Sequence, residues 1–134
     1  MNLNDILFRG KRVDIGAWVE GVAFPHDNGR VTMFRQHRMD GSLIGNEVDP
    51  DTVGRYSGLS DINGTKIFEG DIVQNVTNGK TAAVQWFSEH GAFMLWRKSE
   101  NQVYWLYDNN FSNIEVIGNI HDNPELLKGA PRDE

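Results

Sequence analysis

Apolar and polar positions along this chain fall into short alternating runs, interrupted by turn residues roughly every ten positions. Strands are predicted at residues 6–9, 18–24, 30–35, 43–44, 66–68, 72–76, 81–87, 92–97, 103–107 and 114–120. In 30–35, Val31, Met33 and Arg35 share one face and Thr32 and Phe34 the other. No stretch keeps the 3.6-residue apolar period of an amphipathic helix. Two short helical turns are expected, each opening on an Asx-Pro pair: Asp49-Pro50 and Asn123-Pro124, with Asp or Asn as cap and proline at the first helical position. Gly45-Asn46 reads as a turn after the short strand at 43–44. The pattern is that of a mainly β chain, a small barrel or sandwich.

The densest punctuation lies in residues 57–73. Asn63-Gly64 is the dipeptide that suits a type I′ hairpin turn, because both central residues need positive φ. Gly70-Asp71 bends the chain again before the β-branched Ile72-Val73, and Asn78-Gly79 promises a second hairpin. Asp61 is expected to close an Asx-type turn and Asp71 to accept backbone N–H groups at the bend.

The 134 residues suffice for one ordinary domain or two small lobes. Cysteine is absent, which excludes disulfides, thiolate metal sites and a cysteine nucleophile, and fits a reducing compartment. The first nine residues lack a signal peptide's apolar region, and no apolar run approaches membrane-spanning length. A cytoplasmic location follows as the expectation. The net charge of −6 is uneven: residues 1–67 carry eight Lys/Arg against nine Asp/Glu, residues 68–134 five against ten. An acidic second half repels a phosphate backbone and opposes general nucleic-acid affinity.

Several segments then resemble one family in its own order. They are Leu7-Phe8-Arg9-Gly10-Lys11-Arg12 with Trp18-Val19-Glu20-Gly21, then Val48 through Ser57, then Gly58-Leu59, Asp61 and Asn63-Gly64. Ile67-Phe68-Glu69-Gly70-Asp71-Ile72-Val73 follows, and Ile114 through Leu127 closes the match. Together these resemble the YopX family of phage and prophage proteins, over about half the chain; Phe68 stands where tyrosine is common there. The resemblance implies a two-part β architecture whose later part is an SH3-like β-barrel, and an oligomeric state. It implies no activity and carries no catalytic residues. The organisation expected is an N-terminal β lobe at 1–56, an SH3-like barrel with a short C-terminal helix at 57–128, and a frayed tail at 129–134.

Candidate chemistry is thin. With Gly64 at the glycine position of a calcium loop, Leu59 and Gly70 fall where the first ligand and the bidentate carboxylate belong, so calcium is not expected. Asp61, Glu69 and Asp71 could form an acid–base set, but no nucleophile or cofactor motif accompanies them. His26, His37, His90 and His121 lack metal-ligand spacing. No catalytic residue, metal or cofactor is assigned. Trp86 and Trp96 are expected in the core, whereas Tyr104, Trp105 and Tyr107 stand open between core and ligand surface; these three are the candidate binding residues. Arg9, Lys11 and Arg12, with Arg30, Arg35 and Arg38, form the one candidate anion patch, read as solvated charge partly paired with Asp14 and Glu20. The function expected is that of a non-catalytic phage accessory protein acting through protein–protein contact with a host or phage partner, or through homo-oligomerisation. A nucleic-acid-binding SH3-like module is the alternative, by analogy of fold.

Overall fold

The structure is a computed structural model describing residues 6–98, 100–106 and 113–127. The loop expected at 108–110 and the tail at 129–134 lie outside the described residues. By contacts the chain divides into two compact units, Met1–Tyr56 and Ser57–Glu134.

In the first unit, β1 (Phe8–Lys11) pairs antiparallel with β2 (Trp18–Pro25), β2 with β3 (Val31–Gln36), and β3 with β4 (Leu43–Val48). A 3-10 turn at Pro50–Thr52 follows, and β5 (Gly54–Ser60) opens beside β1, with Arg55 opposite Phe8 and Gly54 opposite Arg9. As the Asp-Pro pair predicts, the Asp49 side chain accepts the Asp51 N–H at 3.0 Å and caps that turn. The C-terminal end of β4 also meets the end of β1: Arg12 bridges to Val48, the Val13 N–H donates to the Glu47 carbonyl, and the Asp49 N–H donates to the Lys11 carbonyl. The enclosed core is small, centred on the buried Met33 and Val48. Gly10 and Gly21 are what let it close. A Cβ on Gly10 would lie 3.0 Å from Val48 Cβ, and one on Gly21 2.1 Å from the Phe34 carbonyl oxygen.

Gly45-Asn46 does not turn the chain; β4 runs straight through it. The glycine serves a ring instead, since a Cβ there would sit 2.9 Å from the edge of Phe34 on the neighbouring strand.

The second unit contains β6 (Lys66–Phe68), β7 (Asp71–Asn75), β8 (Thr81–Phe87), β9 (Ala92–Arg97), β10 (Gln102–Trp105) and β11 (Ile114–Asn119). Strands β7 to β11 form an antiparallel sheet in the order β10-β9-β8-β7-β11, and the other six lie in the order β4-β3-β2-β1-β5-β6. The expected closed barrel is not found: β10 and β11 remain at opposite edges of their sheet, and no pairing joins them among the described residues. Four-residue β10 offers little ladder with which to close it.

The first half of β8 is buried on both faces. Ala82 and Val84 pack with Ile67, Val73, Leu95, Leu106 and Ile114, while Ala83 packs with Ile72 and Leu127 on the reverse. The C-terminal 3-10 turn, Pro124–Leu127, supplies Leu126 and Leu127 to that second cluster, and its Leu126 carbonyl accepts from Thr81 Oγ1 at 3.1 Å. Asn123 does not cap it. Its Oδ1 turns back to accept the Asn119 N–H at 3.3 Å, across Gly118, where a Cβ would meet that same oxygen at 2.6 Å.

Neither Asn-Gly hairpin is type I′. Among non-glycine residues described, Asn101 alone has positive φ, so neither Asn63 nor Asn78 takes the left-handed conformation that type I′ requires. At the first, the Gly64 N–H donates to the Asp61 carbonyl and the Asp61 N–H to the Thr65 carbonyl, with Gly64 at φ 80°. This is a three-residue connection, in which only the final glycine needs the left-handed region. Gly64 has no atom near its missing Cβ. Gly64→Val therefore isolates backbone strain and is expected to cost about 1–3 kcal/mol. Thermal unfolding beside the parent checks this; an unchanged melting temperature would refute it.

Candidate functional site

Three regions carry the residues singled out by the sequence, and each resolves differently. The first is the β9–β10 hairpin. Tyr104 is half-buried against the cluster around Val84 and Leu95, and its hydroxyl donates to Glu100 Oε1 at 2.7 Å. Arg97 lies over the Tyr104 ring, 4.8 Å from its centre, and its Nη1 donates to Glu100 Oε1, while Lys80 Nζ reaches Glu100 Oε2 at 2.9 Å. Led by the Tyr104 hydroxyl, these donors hold the Glu100 carboxyl down at about 2, and the hydrogen bond to Glu100 in turn pushes the tyrosine hydroxyl up, against the pull of Arg97 and Lys80. Proton transfer near neutral pH needs groups that titrate there, and both are driven away from it. This cluster acts as a clamp between hairpin turns. Trp105 lies on β10 with its backbone opposite Met94, and Tyr107 falls outside the described residues.

Of the tryptophans, Trp96 packs on the Ile72–Ala83–Leu127 cluster as expected, but Trp86 is 38% exposed. Trp86 shares a face with Ala82 and Val84 yet stands near the end of β8, past the core, covered edge-on by the Phe93 ring at 5.0 Å.

The second region is the acidic stretch. Asp61 is 7% exposed, and its Oδ1 accepts the N–H groups of Asn63 and Thr65, each at 2.9 Å. Its Oδ2 reaches Val116 on β11, accepting that N–H at 2.8 Å. Burial alone would raise its pKa, but the backbone donors, Val116 first, together hold it below the ordinary carboxylate value. Asp71, also buried, accepts the Phe68 N–H at 2.7 Å. Both aspartates thus organise backbone, as the turn pattern suggests. Sequence spacing gave no sign that Asp61 reaches a strand fifty-five positions away.

The third region is the outer face of the β2–β3–β4 sheet, which the sequence reading missed. Antiparallel register places Val22, Phe34 and Gly45 in one row, with Gln36 and Leu43 on one side and Phe24, Thr32 and Glu47 on the other. Val22 is 56% exposed, Phe24 54% and Leu43 73%. Phe24 meets Phe34 edge-on at 6.4 Å and His26 at 5.1 Å. The signal lay in the alternation of Val22, Phe24 and Phe34, but reading Gly45 as a turn broke off the strand that joins Leu43 to them.

Several of the basic residues are engaged by neighbours. Arg12 is held by Asp14 through two hydrogen bonds of 2.9 and 2.6 Å, and Arg30 lies 3.8 Å from Glu47. Arg9 and Lys11 lie over the Trp18 ring at 4.9 and 6.0 Å, and Glu20 enters no ion pair among the described residues. An open groove of about 370 Å³, lined by Lys11, Arg12, Val13, Gly16, Asp49 and Pro50, carries both charges. Among the described residues no cluster of His, Asp and Glu is placed to hold a metal ion, and no helix is long and apolar enough to cross a membrane.

Compared with known proteins, the chain matches the family model described as YopX protein over residues 8–128. It is also similar to the X-ray crystal structure of protein yopX from Bacillus subtilis, at 17% identity and a TM-score of 0.53, covering 91% of this chain and 98% of that one. No curated protein matches.

Proposed function

The chain belongs to the YopX family, and from that premise we propose that it is a non-catalytic phage or prophage accessory protein working through protein–protein contact, foremost self-assembly. The observation that carries this reading is the solvent-facing apolar strip of Val22, Phe24, Phe34 and Leu43, built on three paired strands and held rigid by them. A scatter of single apolar residues needs no explanation, but Val22 directly opposite Phe34, with Phe24 and Leu43 in the flanking rows of the same face, forms a contact surface. Further support comes from Asp61, Asp71 and Glu100, whose hydrogen bonds commit them to backbone or to clamping. The order β10-β9-β8-β7-β11, a four-strand meander whose first strand takes the fifth on its other side, supports an SH3-like reading of the second unit. A cytoplasmic site of action fits the cysteine-free composition.

Light scattering across a dilution series is expected to give a mass above 15.2 kDa at micromolar concentration, falling when Val22 and Phe24 are both replaced by serine. A parent that stays monomeric at high micromolar concentration overturns self-assembly. The alternative of nucleic-acid binding is opposed by the acidic second half and by the acids that lie against Arg12 and Arg30. Fluorescence anisotropy with random duplex DNA is accordingly expected to show no saturable binding at physiological salt. Salt-sensitive binding near micromolar would favour the alternative.

A further inference from the structure

We propose that the open edge of β4 is where two copies of this chain join, by antiparallel pairing of β4 with β4 about a two-fold axis through Ile44. The inference rests on the self-assembly reading above and names the surface it uses.

The backbone of β4 shows which groups are free. His37 N–H donates to the Ser42 carbonyl, so the even-numbered residues of this strand turn their N–H and C=O groups toward β3. Glu47 and Asp49 turn theirs the other way, to Val13 and Lys11 at the end of β1. Strand alternation then directs the N–H and C=O groups of Leu43 and Gly45 outward as well. No described strand lies there, since β4 ends the sheet order and β1 reaches it only from Glu47 onward. Both residues are exposed. An unblocked edge of this kind is a template for strand addition.

The window is self-complementary. It is bounded at one end by β1 at Glu47 and at the other by the β3–β4 turn at Ser42, which places its middle at Ile44. An antiparallel partner centred there sets Ile44 opposite the partner's Ile44. Leu43 then stands opposite the partner's Gly45, and Gly45 opposite the partner's Leu43, each pair exchanging N–H···O bonds in both directions. On the outer face the leucine side chain, the most exposed of the strip, comes to lie against the partner's Phe34 ring, which covers the place of a Cβ on Gly45. The strip of Val22, Phe34 and Leu43 would thus run on from one copy into the next. A longer foreign strand would collide with β1 or overrun the turn, whereas this chain's own β4 is limited by the same two boundaries.

The absence of cysteine permits a direct test. Opposed residues of a non-hydrogen-bonded antiparallel pair have Cα atoms about 4.5 Å apart, within disulfide range. Under mild oxidation Ile44→Cys is expected to give a covalent dimer in several-fold higher yield than Met39→Cys, which places a thiol on the exposed neighbouring turn. Leu43→Pro removes one outward N–H without touching the β3 ladder, and is expected to shift the assembly toward 15.2 kDa in light scattering, with its circular dichroism unchanged. Should the parent assemble while Ile44→Cys links no better than Met39→Cys, the β4 edge is not the interface, and self-assembly by another surface stands. If the parent is monomeric throughout, both this proposal and the self-assembly reading fall.

Discussion

Gly21→Ala is expected to destabilise the protein by about 3–5 kcal/mol, the largest effect of any single methyl group added to the first unit. Gly21 lies where β2 hands over from β1 to β3: it pairs with Phe8, and its neighbour Val22 pairs with Phe34. The new Cβ would fall 2.1 Å from the Phe34 carbonyl oxygen and 2.9 Å from its carbonyl carbon. Both are backbone atoms, so no rotamer change relieves the contact; β2 and β3 must part. Against a net stability of roughly 5–15 kcal/mol this removes much of the margin. Gly10→Ala offers the comparison, because its Cβ would meet the Val48 and Met33 side chains at 3.0–3.3 Å, where small shifts suffice, at a cost of about 1–2 kcal/mol. Urea titrations of both variants beside the parent test the ranking. A Gly21→Ala protein as stable as Gly10→Ala would show that the β2–β3 contact is looser than described.

Asp61→Ala is expected to cost about 2–3 kcal/mol, because one carboxylate accepts three backbone N–H groups. Those of Asn63 and Thr65 belong to exposed residues and can turn to water, whereas Val116 is half-buried on β11. The loss should lower the melting temperature by on the order of 10 °C for a chain of this length. The effect carries a pH signature. Asp61 has a folded pKa below its unfolded value, so its contribution is complete above about pH 4 and is lost as pH falls through the folded value. The gap between the parent and Asp61→Ala should therefore be constant at neutral pH and narrow below pH 4. A variant that melts above the parent at pH 7 would instead mark Asp61 as a strained functional acid.

Most strands and both short helical turns were legible because their signals are local: alternation, Asx-Pro pairs and glycine-marked bends. What escaped the sequence depends on partners brought from elsewhere. Gly45 looks like a turn until Phe34 lies beside it, and reading it so concealed the apolar strip. Asn63-Gly64 has type I′ composition, yet Asp61, by holding Asn63 and Thr65, supports a turn that needs positive φ only at Gly64. Trp86 alternates correctly for the core but lies where the strand outruns it. Of the candidate binding residues, Tyr104 revealed its place only when Glu100 and Arg97 were seen around it. The apolar pattern defines what each strand could bury, and register decides what it does bury.

The double-sided burial of β8 bears on how the second unit comes apart. Ala82 and Val84 belong to one apolar cluster and Ala83 to the other, so three consecutive residues tie both together through a single backbone. Neither cluster can be exposed to water while the other keeps its side of this strand in place. Partial opening that starts in β8 is therefore penalised twice, whereas fraying from β10 at the sheet's edge disturbs one cluster only, at Tyr104 and Leu106. The second unit should behave as one cooperative block, with the amides of residues 82–84 the last to exchange with solvent.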